Sequence, residues 1–227
     1  LHECEHRLSP GSGLQLIDDV RRSAVAQLKA RHLQRWQSTP PSDTMDGAFA
    51  STALLDTSRV VLSHGSPSQQ ATFMHIATNS IQCCWQQSAD GASRQVKPLW
   101  CASCDAALTL THLTECADSA VFRLNQRVAV HILLSSFAWA QPWLHSRRHL
   151  SLTELLAQLF PRPLDTPIHL HTPRIMCGVF SARQANAALK SLNCTLAQDG
   201  RKLMQQLRLC LIDGVHTFFH SLKNALP

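Results

Sequence analysis

Apolar residues recur every three to four positions along most of this chain. The two-residue alternation of a half-buried strand is scarce, so the pattern predicts a mainly α-helical protein. Over residues 14–36 the repeat runs through Ile17, Val20, Ala24 and Leu28, with Arg21, Arg22, Lys29, Arg31 and Arg35 around the other side. Such a basic face is either a solvated surface or a nucleic-acid contact. Pro40-Pro41, among Ser, Thr and Asp, ends this helix and opens a linker. Residues 52–62 are helical but weakly patterned, and His64-Gly65-Ser66-Pro67 breaks them off. A further helix is predicted over 69–81, with Phe73, Ile76, Ala77 and Ser80 on one side, and 88–98 reads as a polar loop.

Residues 118–138 read as one helix with Val121, Leu124, Val128 and Ile132 facing inward and Arg123 and Arg127 one turn apart on another face. Ser151-Leu-Thr-Glu154 is a capping box, in which the hydroxyl and the carboxylate satisfy each other's backbone N–H groups. It starts a helix carrying Leu155, Leu156, Leu159 and Phe160. Pro161, Pro163, Pro167 and Pro173 then predict a linker that no helix crosses. Beyond it, 181–192 is short and Ala-rich. Asp199 is placed to cap a longer final helix with a broad apolar stripe of Leu203, Leu207, Cys210, Leu211, Phe218, Phe219 and Leu222. The expected organisation is an amphipathic basic helix in 1–40, a helical region over 50–160 and a C-terminal helical segment over 174–227.

The densest chemistry lies in Cys101-Ala-Ser-Cys104, His112 and Cys116, a C-x2-C-x7-H-x3-C run. Zn2+ takes four tetrahedral ligands of thiolate and imidazole type, and a C-x2-C pair lets two thiolates from one turn reach one ion. His112 and Cys116 close the shell if they sit one helical turn apart, since residues four apart share a helix face. Buried free thiols are the competing explanation of such cysteines. Against it, Ser103, Asp105, Thr109 and Thr111 interrupt any apolar run. Three thiolates and one imidazole leave no open position, so the predicted zinc is structural. Trp100, next to the first ligand, is expected to pack under this knuckle.

The chain has 227 residues, 44% of them hydrophobic, enough for a sizeable core in one or two domains. Its 21 Lys and Arg against 15 Asp and Glu give a net charge of +6, which permits a polyanionic partner. Nine cysteines without framework spacing, and no secretory hydrophobic segment, favour a reducing intracellular compartment, nuclear or cytoplasmic, over secretion. No run of about 18 apolar residues exists, so no membrane-spanning helix is expected. Beginning at Leu1 without Met, the sequence reads as a piece of a longer protein.

Taken in context, several spaced features resemble one family. They are Phe73-Met-His-Ile-Ala-Thr-Asn79-Ser-Ile81, Trp100-Cys-Ala-Ser-Cys104, Leu108-Thr-Leu110-Thr-His112-Leu-Thr-Glu-Cys116, Arg123-Leu-Asn-Gln-Arg127 and His131. The stretch is similar to the region after the polymerase thumb in LINE-type (non-LTR) retrotransposon reverse transcriptases, where an Ala-Thr-Asn helix precedes a CCHC knuckle and an Arg-rich helix follows. The likeness covers residues 70 to 135. It implies that Cys101, Cys104, His112 and Cys116 hold zinc, and that Arg123 and Arg127 contact phosphate of template RNA or target DNA. It further implies an upstream domain of the same polypeptide acting as an RNA-directed DNA polymerase. The family more often places four residues between its His and last Cys; this chain has three, which shifts the closing turn or leaves Cys83 or Cys84 to substitute.

Catalytic signals are weak. A polymerase palm needs paired aspartates for Mg2+, and Asp18-Asp19 lies within the first amphipathic helix; the chain has no Tyr. Some relatives carry a nuclease with a basic-Pro-Asp motif, of which Arg162-Pro163-Leu164-Asp165 is a broken version, with Asp199, Asp213 and Lys202 as available partners. This region is therefore expected to be non-catalytic. His2, Cys4 and His6 sit near a terminus where fraying is the default. His145 and His149, flanking Arg147 and Arg148, form a basic patch expected to face solvent, as are His169 and His171. Cys177-Gly178 lacks a nucleophile elbow, and Cys194 and Cys210 read as core. The competing function is a zinc-stapled scaffold that docks a partner helix on the stripe from Leu203 to Leu222.

Overall fold

The computed structural model describes residues 52–77, 83–87, 94–98, 101, 104, 106, 112–162, 164, 168–194 and 196–225. All belong to one compact unit, Asp43–Pro227. The predicted helix over 14–36, the Asp18-Asp19 pair and the His2, Cys4 and His6 group lie outside the described residues. In chain order the elements are α1 (Thr52–His64), α2 (Pro67–Ala77), β1 (Cys83–Gln87), β2 (Arg94–Pro98), α3 (His112–Glu115), a 3-10 turn (Ala117–Ser119) and α4 (Ala120–Ser135). They continue with α5 (Gln141–His145), α6 (Leu152–Leu159), α7 (Ile168–Met176), α8 (Ala182–Ser191) and α9 (Ala197–Ala225). The fold is mainly α, as the periodicity predicts. No described helix is long and apolar enough to cross a membrane.

The 29 residues of α9 make a rod about 44 Å long at 1.5 Å per residue. Its stripe of Leu203, Leu207, Leu211, Val215 and Phe219, spaced by four, is buried, as are Met204 and Ile212. It packs on α4, α2 and α1. The stripe read as a docking face for a partner helix is thus largely used inside the molecule.

The helix after the knuckle carries a correction. Val121, Leu124, Val128 and Ile132, expected to face inward, are 67%, 57%, 50% and 67% exposed, while Phe122, Gln126, Val130 and Leu134 are buried. Both faces of α4 are apolar, so a 3.6-residue period marks two stripes and cannot choose between them. Tertiary partners choose. Phe122 meets Phe218 at 5.1 Å between ring centroids. The Gln126 amide donates to the Met176 and Leu211 carbonyls at 3.2 and 2.8 Å. Gly214 makes room for that amide, since a Cβ there would lie 2.1 Å from Gln126 Oε1.

Two other expectations change. Arg94–Pro98, read as loop, pairs antiparallel with Cys83–Gln87, in the register Cys83 to Pro98 and Gln87 to Arg94. The proline-rich segment does not exclude a helix either: α7 runs through Pro173. An interior proline costs about 3 kcal/mol, and burial of His171, Ile175 and Met176 offsets it. His171, expected in solvent, is 5% exposed, and its Nε2–H donates to the Phe160 carbonyl at 2.9 Å. Burial and the nearby Arg162 and Arg174 hold this imidazole below its usual range, with the Phe160 bond opposing.

Gly178 ends α7 with φ +77°, its N–H donating to Ile175 and the Val179 N–H to Arg174, each at 2.9 Å, the two bonds of a Schellman cap. The chain then crosses α9. Arg208, 4% exposed, lies 4.2 Å over the Phe180 ring and donates to the Phe180 carbonyl at 2.7 Å. Phe180 also packs on Phe160 at 4.6 Å. Two capping boxes start neighbouring helices: the one expected at Ser151 and Glu154, and one at Ser181 and Gln184.

Candidate metal centre

The knuckle begins with a turn closed by a 2.8 Å bond from the Cys101 N–H to the Ala106 carbonyl. It ends in α3, where the Cys116 N–H donates to the His112 carbonyl at 3.0 Å. This i to i+4 bond puts His112 and Cys116 one helical turn apart on one face. Leu113, between them in sequence, points the other way and is fully buried, anchoring α3 against α4 and α7. Three-residue spacing between His112 and Cys116 therefore aligns the two on one side of a helical turn.

Sγ of Cys101, Cys104 and Cys116 and a ring nitrogen of His112 all lie within 4.8 Å of one another, close enough to hold a metal ion. Cys101 and Cys116 are 3.3 Å apart at sulfur, Cys104 and Cys116 3.9 Å, and Cys104 Sγ is 3.6 Å from His112 Nε2. A tetrahedron with metal–sulfur bonds of about 2.3 Å and a metal–nitrogen bond of about 2.0 Å needs edges of roughly 3.8 and 3.6 Å. These three edges come within about 0.5 Å of those values, and the 3.3 Å sulfur pair is too long for a disulfide bond. Cys101 and Cys116 are buried while Cys104 faces solvent. Four protein ligands complete a tetrahedron, so no coordination position remains for water or substrate. Side chains of Cys83 and Cys84 lie outside the described residues.

Arg123 and Arg127, expected at phosphate, both lie on α4, and Arg123 is tied to this turn. Arg123 is half-buried and its Nη1 donates to the carbonyls of Leu113 and Cys116, at 3.2 and 2.8 Å. It caps the carbonyl end of α3, where a cation is favoured by the helix dipole. Ser119 Oγ reaches the His112 carbonyl at 3.5 Å from the same turn. One turn along α4, Arg127 Nη2 donates to the Arg148 carbonyl. Sequence reasoning missed the Arg123 contact because it depends on the chain reversing after Cys116, which no local spacing encodes.

Elsewhere no catalytic constellation forms among the described residues. Asp199 and Asp213 sit fourteen positions apart on one helix, about 21 Å along its axis. Asp213 accepts from Gln69 Nε2 at 2.7 Å, and Asp199 lies in the first turn of α9 rather than capping it. Asp165 lies outside the described residues. Cys177 is fully buried, its thiol pushed up to about 12 by desolvation, and so is inert as a nucleophile. Compared with known proteins, the chain matches no family profile, curated protein or solved structure.

Proposed function

We propose that this region is a zinc-stapled helical module that holds nucleic acid, of the kind its sequence resembles downstream of a non-LTR reverse transcriptase polymerase domain, and that it supplies no reaction chemistry itself. The observation that carries the reading is the close cluster of Cys101, Cys104, His112 and Cys116 donor atoms. Soft thiolates with one imidazole suit zinc. A closed shell makes its role structural, with zinc fixing the knuckle against α4. The net charge of +6 suits a polyanion. On this reading Arg127, whose guanidinium reaches the Arg148 carbonyl, contributes to holding template RNA or target DNA, while Arg123 braces the metal turn.

Three thiolates around Zn2+ leave one net negative charge, and the Arg123 guanidinium is the nearest cation tied to that turn. Groups that orient ligands from the next layer are worth tenfold to a hundredfold in metal affinity. Arg123→Ala is accordingly expected to weaken zinc about tenfold in competition with a chromophoric chelator. Arg123→Lys should recover only part of this, because an ammonium cannot bridge two carbonyls as a planar guanidinium can. Unchanged zinc affinity in Arg123→Ala would remove the residue from the site.

Nucleic-acid binding is tested by titrating the zinc-loaded protein with single-stranded RNA over a range of salt. The logarithm of affinity should fall linearly with the logarithm of salt, by about 0.7 for each phosphate neutralised. Affinity independent of salt, or no binding at low salt, counts against the proposal.

A second reading, a zinc-stapled interaction domain, is favoured by one observation. The outer stripe of α4 is bare, and a groove of about 610 Å³ between α4 and α9, lined in part by Val121, Asn125 and Thr217, runs beside it. Concentration-dependent association without RNA binding would select that reading.

A further inference from the structure

From 119 to 153 the chain contains no Asp or Glu, yet carries Arg123, Arg127, His131, His145, Arg147, Arg148 and His149. The fold gathers most of these at one corner, where α5 turns into α6. Leu144 and Leu152 are buried and pin the two sides of this corner. Backbone bonds from Arg147 to Leu144 and from Leu150 to Arg147, both 3.1 Å, hold the turn between them. His145, Arg148 and His149 are exposed. Arg127 reaches across from α4 to the Arg148 carbonyl, joining its charge to the group.

Arg147 is held but not neutralised. Its guanidinium lies 4.6 Å over the Trp143 ring and donates to Gln158 Oε1 at 2.6 Å and Ser146 Oγ at 2.9 Å. All these partners are uncharged. Among the described residues, none of Arg127, Arg147 and Arg148 is in an ion pair. The adjacent carboxylate, Glu154, faces His149 but is bound to Ser151, accepting from its N–H and its hydroxyl at 2.8 Å each. Surface guanidinium groups without described carboxylate partners, Arg148 exposed and Arg127 and Arg147 half-buried, match oxygens on a polyanion, since Arg presents a rigid fork of donors. With Arg147 over one face of Trp143, the corner is organised for a sugar-phosphate backbone rather than for base stacking.

We infer that the α5–α6 corner, through Arg147 and Arg148 with Arg127 beside them, is a contact surface for the phosphodiester backbone of nucleic acid. This rests on the nucleic-acid reading above and assigns it a location away from the knuckle. Backbone contacts position a strand without reading its bases or its 2′-hydroxyls. The surface should therefore serve RNA and DNA strands alike.

The test compares the full zinc-loaded chain with R147Q/R148Q, using single-stranded RNA and DNA of one sequence. Loss of two phosphate contacts should weaken binding about tenfold or more. It should also make the salt slope shallower by about 1.4, equally for both strands. R147K/R148K should restore the slope. If the double variant loses helicity, Arg148→Gln alone, at an exposed side chain, should still lower the slope by about 0.7. Wild-type affinity and slope in these variants, with the parent chain still binding, overturns this location and leaves the nucleic-acid reading standing. Failure of the parent chain to bind either strand overturns both. Loss by R147Q/R148Q of binding to phosphatidylserine vesicles, but not to RNA or DNA, assigns the corner to a lipid surface and also overturns it.

Discussion

Cys104→Ser is expected to cut zinc affinity by about two orders of magnitude while leaving the helical core folded. Structural zinc sites bind with roughly 10–16 kcal/mol, so one ligand of four accounts for about 3 kcal/mol, and each 1.4 kcal/mol is tenfold. The core does not depend on the knuckle in the way that an isolated zinc finger does. The buried residues of α1, α2, α4 and α6 to α9 pack on one another, and among the described residues only Cys101, Leu113 and Cys116 of the apolar core belong to the metal turn. Far-ultraviolet circular dichroism should therefore change little. Alkylation separates the thiols further. Among the described cysteines, Cys104 is exposed and should react first once zinc is chelated, whereas Cys177 should stay protected until global unfolding. Full zinc retention by Cys104→Ser, or equal labelling of Cys104 with and without zinc, contradicts the ligand set.

The largest loss of stability from a single methyl group is expected at Gly178. Its φ of +77° is a left-handed conformation that costs a residue with a Cβ about 1–2 kcal/mol. A Cβ there would also stand 2.5 Å from the Arg208 carbonyl oxygen, a backbone atom of α9. Relief requires moving either the α7 cap or the long helix, and the Arg208 bond to Phe180 shifts with it. Gly178→Ala should lose about 3 kcal/mol or more, within the upper range for single substitutions. For a domain of this size that is a fall of about 6–12 °C in thermal midpoint. A midpoint unchanged within about 2 °C would mean that the cap and α9 can separate at little cost.

The parts that the sequence made legible are those whose chemistry is local. Ser151 and Glu154 announce a helix start within four residues, and the same rule, applied to Ser181 and Gln184, would have found the second box. The candidate metal-binding residues are equally local, because a C-x2-C turn and an i to i+4 pair need one chain reversal to meet. What was hidden depends on distant partners. The inward face of α4 is chosen by Phe218 and by the carbonyls of Met176 and Leu211, not by its own pattern. Short strands such as Cys83–Gln87 and Arg94–Pro98 gain their identity from pairing, and neither has an apolar alternation to betray it. The helix through Pro173 persists because tertiary burial outweighs a local penalty.

The bare outer side of α4 leads to a consequence for how this protein changes over time. Val121, Leu124, Val128 and Ile132 bury little within the domain, so replacing them with polar residues costs folding almost nothing. Mutational drift along that edge is invisible to the stability of the chain. Any selection that keeps it greasy must act from outside, through whatever is laid against it.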